Sequence, residues 1–379
     1  MFGFRKPAKR LNLALQGGGA HGAFTWGVLD RLLEEPRLAF GWLSGTSAGA
    51  INAVAMASGL AEGGHAGAAK TLRAVWTAVI EAGVPDLVRF NPFLLGLSRS
   101  STMGHIGAQV GAQFGAMFSP YEFNPMGFDP LRKLLEAHID FDRLRTAART
   151  SGGVELLVAA TDVATGRARL FRRAELTVEA VLASACLPQL HHAVVIDGRA
   201  YWDGGFSANP DLLTLAAESP VGDTLLVLLN PVEKSGVPRT VRDIAAEANR
   251  LTFSQPLLRD IAEITAIARE GRGFFSRPGL RARRIGGHRF HLIEAGRHTD
   301  ALAPESKLRP DRELLELLHG AGRDEAERWL GRSKADIGRR SSVDLGARFF
   351  GPMQSFASAK PKAAATQPQA DAEAIAERL

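Results

Sequence analysis

The hydroxyl of Ser47 lies in Gly45-Thr-Ser-Ala-Gly49, a G-x-S-x-G pattern that follows a short apolar run and opens a stretch rich in small residues. Glycines on both sides let the backbone turn sharply, lifting a serine clear of a sheet and setting it at the positive end of the helix that follows. That placement suits a nucleophile. To attack, the hydroxyl must pass its proton to a base. Asp203 offers a carboxylate between a short apolar strand and the turn made by Gly204 and Gly205. An aspartate, near 3.9 in water, starts with a poor match to that task, and burial beside a nonpolar substrate would raise its proton affinity. Acyl transfer also needs donors for the oxygen on which negative charge develops, each contributing about 3 kcal/mol. Gly17, Gly18 and Gly19 supply backbone N–H groups 28 to 30 residues before Ser47, with no Cβ to hold a carbonyl oxygen away.

The same glycines admit a second reading. Gly17, Gly19 and Gly22 satisfy G-x-G-x-x-G between an apolar run and a helical pattern, as dinucleotide sites require. Such a site also needs an acidic residue about 20 positions further on, at the end of the second strand. Phe40 to Ser44 contains none, and Glu34 and Glu35 belong to the preceding helix. A dinucleotide-binding oxidoreductase therefore stands as an alternative without its confirming residue, and a noncatalytic scaffold as a more distant one. Histidine is the rival base. His191, His192, His288, His291, His298 and His319 are available to complete a Ser-Asp-His set, but none lies in a stretch with the character of a triad loop; His21 sits inside the glycine loop itself.

The strands and helices that carry these groups are legible from periodicity. Residues 11–15 read as a strand, and Phe24, Val28, Leu29, Leu32 and Leu33 recur at helical spacing up to Pro36. A second strand over 39–44 leads through the Ser47 turn into a helix. Two strand–turn–helix units within fifty residues imply a parallel sheet. Helical character returns at 65–82 and 129–137; 154–163 reads as a buried strand with 167–171 as its hairpin partner, 177–187 as a helix and 223–230 as a further buried strand. Helices over 240–270 and 311–330 and a strand near 289–294 complete the pattern. Residues 84–128 lose periodicity, and their Gly, Met and Phe content over 103–128 fits either a flexible apolar lid or core packing. Beyond 353 the Ala, Pro and Gln content reads as a mobile tail.

Composition excludes some classes. The 379 residues are 45% apolar and 23% charged, with no uncharged apolar run long enough to span a bilayer. A formal charge of +6 favours anionic surfaces without singling out nucleic acid, which is not expected as a partner. The densest basic stretch, Arg272, Arg277, Arg281, Arg283, Arg284 and Arg289 interleaved with Phe274 and Phe275, reads as a solvated face or a docking surface for anionic head groups. Cys186 is the single cysteine, which excludes an intrachain disulfide and fits a reducing compartment. The basic N-terminus is followed by an apolar run too short for a secretory signal and broken by Asn12 and Gln16, so it reads as a strand. The expected location is cytoplasmic, with any membrane contact peripheral; the oligomeric state is left open.

Taken together, the motifs resemble those of the patatin-like phospholipases, lipid acyl hydrolases that use a Ser-Asp dyad without histidine. Gly17–Gly22 matches the family's oxyanion loop, Gly45–Gly49 its nucleophile turn and Asp203–Gly205 its base, in the family's order. Residues 183–210 also resemble the family's Ala-Ser-rich helix, proline and hairpin leading to Asp-Gly-Gly. The resemblance implies a three-layer α/β/α fold with a mainly parallel central sheet. It further implies Ser47 as nucleophile, Asp203 as general base, a lipid substrate, and no metal or other cofactor. It spans roughly 10–231, leaving 232–352 as a mainly helical extension packed on the catalytic domain and 353–379 as tail. Two positions depart from the family. Many members carry Arg or Lys where this chain has His21, which makes cationic help at the loop pH-dependent or absent, and Leu190 replaces a common aromatic.

Overall fold

The computed structural model describes residues 8–88, 119–147, 154–231, 233, 236–270, 279–300, 302, 304–308 and 310–351. Its strands are β1 (Lys9–Leu15), β2 (Leu38–Thr46), β3 (Glu155–Asp162), β4 (Ala168–Arg172), β5 (Val194–Ile196), β6 (Arg199–Asp203), β7 (Asp223–Leu228) and β8 (Arg289–Glu294). The longer helices are α1 (Gly22–Leu33), α2 (Ala48–Val88), α3 (Pro130–His138), α4 (Phe141–Thr146), α5 (Val178–Ser184), α6 (Leu213–Glu218), α7 (Val241–Glu270), α8 (Leu280–Gly286), α9 (Arg312–Ser333) and α10 (Leu345–Phe350). The sheet runs β5-β6-β3-β2-β1-β7-β8, with β4 also paired to β3. From β3 to β8 the neighbours are parallel, and β4, β5 and β6 add antiparallel pairs at the other end.

Alternation along the strands makes the layers. Leu11, Leu13 and Leu15 of β1 and Leu225 and Val227 of β7 enter one apolar core with α1, α2 and α9. Ala14, Leu226 and Leu228 point the other way, into a second core with α6, α7 and α8. Successive strand residues face opposite sides, so a sheet with both faces covered needs nearly continuous apolar strands, as β3 and β7 are. The expected three-layer arrangement is present. Asn12, which interrupts the first apolar run, is fully buried and fully engaged. Its Nδ2 donates to the Val221 carbonyl at 2.9 Å, and its Oδ1 accepts from Trp42 N–H and Ser219 Oγ, both at 2.9 Å. The β1–β2 register shifts between Leu11 and Leu13, where this amide fills the irregularity.

Two features differ from a simple reading of the elements. The helical stretch α2 is not one rod: Gly64 adopts φ +62°, and a Cβ on Gly59 would lie 2.4 Å from the Gly67 carbonyl oxygen. Residues eight apart in a straight helix are separated by about 12 Å, so the chain reverses at Gly64 and the two arms cross at glycine. The C-terminal third also contributes to the sheet itself, because β8 pairs in parallel with β7 over Asp223–Leu228. On the opposite face α9 packs against α1, backbone to backbone. A Cβ on Gly27 would stand 1.9 Å from the His319 carbonyl, and one on Gly322 2.0 Å from that of Phe24. Residues 89–118, which hold most of the sequence's apolar insertion, and the tail beyond 351 lie outside the described residues.

Candidate active site

The register of β3 explains how two residues 156 positions apart come together. Strand β4 occupies one edge of β3 along Leu157–Thr161, so β2 and β6 share the other edge. Parallel β2 pairs up to Thr46 opposite Ala159, and antiparallel β6 ends with Asp203 opposite Ala160. The two strands run toward each other and meet at their C-terminal ends on consecutive residues of β3. Ser47, the residue after β2, thereby arrives beside Asp203.

Each side chain is held there by local chemistry. Ser47 adopts φ 54°, in the left-handed region that costs a non-glycine residue of order 1–3 kcal/mol. Gly45 and Gly49 permit the turn, since a Cβ on Gly45 would meet the Gly49 carbonyl at 2.5 Å. The Ser47 N–H donates to Ser184 Oγ at 2.9 Å, from the end of α5, and Ser184 is fully buried. Thr46 Oγ1 donates to the Ala208 carbonyl at 2.7 Å. On the other side, Asp203 N–H donates to the Cys186 carbonyl at 2.8 Å, and Thr161 Oγ1 donates to the Asp203 carbonyl at 2.8 Å. The Asp203 carboxylate is 1% exposed. Its Oδ1 accepts from Gly205 N–H at 2.7 Å, while Oδ2 is buried with no partner of full hydrogen-bond geometry among the described residues. Burial pushes this carboxyl up to about 7, against the opposing pull of the Gly205 amide and the neighbouring Ser47 hydroxyl.

The glycine loop borders the same point. A Cβ on Gly17 would lie 3.0 Å from Ser47 Cβ. The Gly17 N–H itself is committed, donating to Asn209 Oδ1 at 2.8 Å, so of the three expected oxyanion donors this one is removed. Gly18 is half-buried and Gly19 exposed at φ +57°; neither amide donates to an acceptor among the described residues. Asn209 is fully buried and also donates from Nδ2 to the Phe253 carbonyl at 3.0 Å, tying the loop to α7. Gly22 packs against Ala48 and Trp76, and Gly204 against the Ala159 carbonyl, which makes both of them packing residues of the motifs.

His21 does not supply a cation. It is 2% exposed, and burial followed by the charge of Lys307 pushes its ring down to about 4, so it is neutral near pH 7. The other histidines have partners elsewhere: His192 with the Pro120 carbonyl, His288 with Thr224, His291 with Asp223 and Ser342, His298 with Glu325, and His319 with Asp30. His191 lies at the end of the turn after α5, its N–H on the Leu187 carbonyl. The basic stretch is also partly diverted. Arg289 is bidentate to Asp223, at 3.0 and 2.7 Å, and leaves the surface set, whereas Arg281, Arg283 and Arg284 are exposed and Arg272, Arg277, Phe274 and Phe275 lie outside the described residues.

Ser184 and Asn209 were not singled out from the sequence. Their signal was present in Ala-Ser-Ala-Cys (183–186) and Ser-Ala-Asn-Pro (207–210), but nothing local says that a hydroxyl will receive an amide 137 residues away. The nucleotide alternative loses ground at the same place, because β2 ends in Gly-Thr with no carboxylate to hold a ribose.

A family model described as Patatin-like phospholipase matches residues 13–216. Among solved structures, the chain is similar to VipD from Legionella pneumophila at 17% identity and TM-score 0.41, covering 86% of this chain and 67% of that one. It is also similar to the type III effector protein ExoU at 18% identity and TM-score 0.26, covering 91% and 79%. The ExoU–SpcU complex of Pseudomonas aeruginosa gives 16% identity and TM-score 0.27, covering 91% and 75%. No curated protein matches. No described helix is long and apolar enough to cross a membrane. Because the family match takes in more than half of the chain and carries the glycine loop, Ser47 and Asp203 together, this protein belongs to the patatin-like phospholipase family and is a hydrolase of lipid carboxylic esters.

Proposed function

We propose that the protein cleaves carboxylic esters of phospholipids or related lipids through a Ser47–Asp203 dyad and an acyl-enzyme. The observation that carries this reading is the pairing of Thr46 and Asp203 with consecutive residues of β3, which sets a strained serine beside a buried carboxylate. In the first half-reaction the Ser47 hydroxyl gives its proton to Asp203 Oδ2, and Oγ forms a bond to the acyl carbonyl carbon. The carbonyl oxygen takes up the electron pair and accepts hydrogen bonds from Gly18 and Gly19 N–H. Collapse expels the alcohol, which leaves with the proton held on Asp203. In the second half-reaction Asp203 takes a proton from water, the hydroxide attacks the acyl carbon, and Ser47 departs with that proton as the fatty acid is released.

The environment addresses the weakness of aspartate as a base. A carboxyl raised to about 7 holds a serine proton better than one near 3.9, while remaining largely ionised above neutrality. A fluorophosphonate probe tests the assignment: Ser47 becomes labelled, and Ser47→Ala and Asp203→Asn each lower kcat/KM on a soluble ester about a thousandfold or more with the fold retained. Normal turnover by either variant would sink the dyad.

A further inference from the structure

A short segment from outside the family-matched residues reaches the glycine loop. The 3₁₀ turn Pro304–Leu308 crosses Gly19 so closely that a Cβ there would stand 2.2 Å from the Lys307 carbonyl oxygen and 3.6 Å from Lys307 Cβ. Ser306 Oγ lies 2.7 Å from His21 Nε2. The Lys307 ammonium donates to Asn230 Oδ1, and Asn230 N–H donates to Gln16 Oε1 at 3.0 Å, so the lysine head is anchored where β1 and β7 end beside the loop. Lys307 is half-buried. His21 Nδ1 is buried and has no hydrogen-bond partner among the described residues. With the His21 ring neutral, the loop Gln16–Gly22 carries no charge of its own, and Lys307 sets a cation alongside it.

We propose that Pro304–Leu308 is part of the hydrolytic site and that Lys307 is a specificity residue, engaging the phosphate of an anionic lipid head group while the ester lies over Ser47. This rests on the reading of Ser47 as nucleophile. An ammonium on a flexible four-carbon stem is a compact point charge suited to a phosphate oxygen. Charge-assisted hydrogen bonds of this kind are roughly twice as strong as neutral ones. A neutral ester presents no group that gains from the lysine, so Lys307 discriminates between substrate classes.

The test measures kcat/KM of the full chain on dihexanoyl phosphatidylglycerol, a soluble anionic phospholipid, and on p-nitrophenyl butyrate, a neutral ester. Lys307→Met is expected to lower the phospholipid-to-neutral ratio about tenfold, mainly through KM for the phospholipid, and Lys307→Arg to restore it to within about threefold. Parallel loss on both esters, or an unchanged ratio, overturns the proposal. Calorimetric binding of the same phospholipid to Ser47→Ala, with and without Lys307→Met, gives a readout that needs no turnover. Affinity independent of Lys307 again overturns it. Lysine-dependent affinity supports it, with glycerol 3-phosphate as competitor distinguishing recognition of any phosphate ester from recognition that needs the lipid. If the wild type hydrolyses neither ester yet binds phospholipid through Lys307, the dyad fails and the anion site stands; hydrolysis with lysine-independent binding gives the reverse.

Discussion

In the mechanism proposed for this site, burial is what makes Asp203 usable as a base. In water its carboxyl is nearly always ionised and a weak acceptor; enclosed at 1% exposure, its charged form is disfavoured and its proton affinity rises to about 7. One oxygen is spent on the Gly205 amide, which fixes the rotamer, and the other faces the site without a strong partner. On the proposed dyad the free enzyme must carry Asp203 ionised to accept the Ser47 proton, so kcat/KM on a soluble ester is expected to climb with pH through an apparent pKa near 7 and level off above it. A pH profile recorded on p-nitrophenyl butyrate checks this. A rising limb near 4 would mean that the base is solvated, against the burial seen here.

At the scale of elements, the site depends on ends of strands and helices pinned by single side chains. The left-handed Ser47 has its N–H on Ser184 at the end of α5, and the glycine loop has Gly17 N–H on Asn209, which in turn reaches α7. Removing one partner of a buried hydrogen bond leaves the other unsatisfied at about 1–3 kcal/mol. Ser184→Ala is therefore expected to lower stability by about that amount and to reduce kcat about tenfold with little change in KM, because the turn that carries Ser47 loses its restraint while the rest of the site is untouched. Ser184→Thr, which keeps a hydroxyl, should recover most of the loss. Steady-state kinetics and denaturant melts of the three proteins decide it; a change in stability without a change in kcat would make Ser184 a core residue only.

For the whole molecule, the buried carboxylates write a pH dependence into the fold. Asp203 and Asp211 both have carboxyls raised to about 7, the first by burial, the second by burial and the nearby charge of Asp260. A folded-state value above the unfolded one means that the native state binds the proton more tightly. Their destabilising contribution is absent below about pH 4, grows as pH rises to about 7 and is constant beyond that. Asp223 has the opposite sign: despite burial, bonds from His291, Arg289 and Gly338 hold it well below the carboxylate range, so its contribution is lost in acid. Asp203→Asn should thus stabilise the protein more at pH 8 than at pH 5, where the contribution is only partly developed. Denaturant unfolding at both values tests this, and an equal gain at each would contradict the assignment of burial as the cause. The C-terminal third is woven into the same body through β8 in the sheet and α9 on α1, with backbone contacts at Gly27 and Gly322.

Much of this was written locally. Periodicity marked β1, α1, β2, β3 and β7, because a strand covered on both faces must be apolar throughout and an amphipathic helix must repeat its apolar positions. The three glycine motifs were legible for a similar reason, since a left-handed or crowded backbone tolerates few other residues. Asp197-Gly198, with φ 50° and 75°, likewise announces the β5–β6 hairpin that delivers Asp203. Residue types and their spacing thus set the chemistry on offer: a hydroxyl on a tight turn, a carboxylate on another, and a glycine loop. Which of these groups meet was settled by the folded chain. Register along β3 joined Ser47 to Asp203, Asn209 withdrew Gly17 from the donor set, and Pro304–Leu308 brought Lys307 to the loop. Those outcomes depend on packing between segments distant along the chain, and no local pattern of residue types records them.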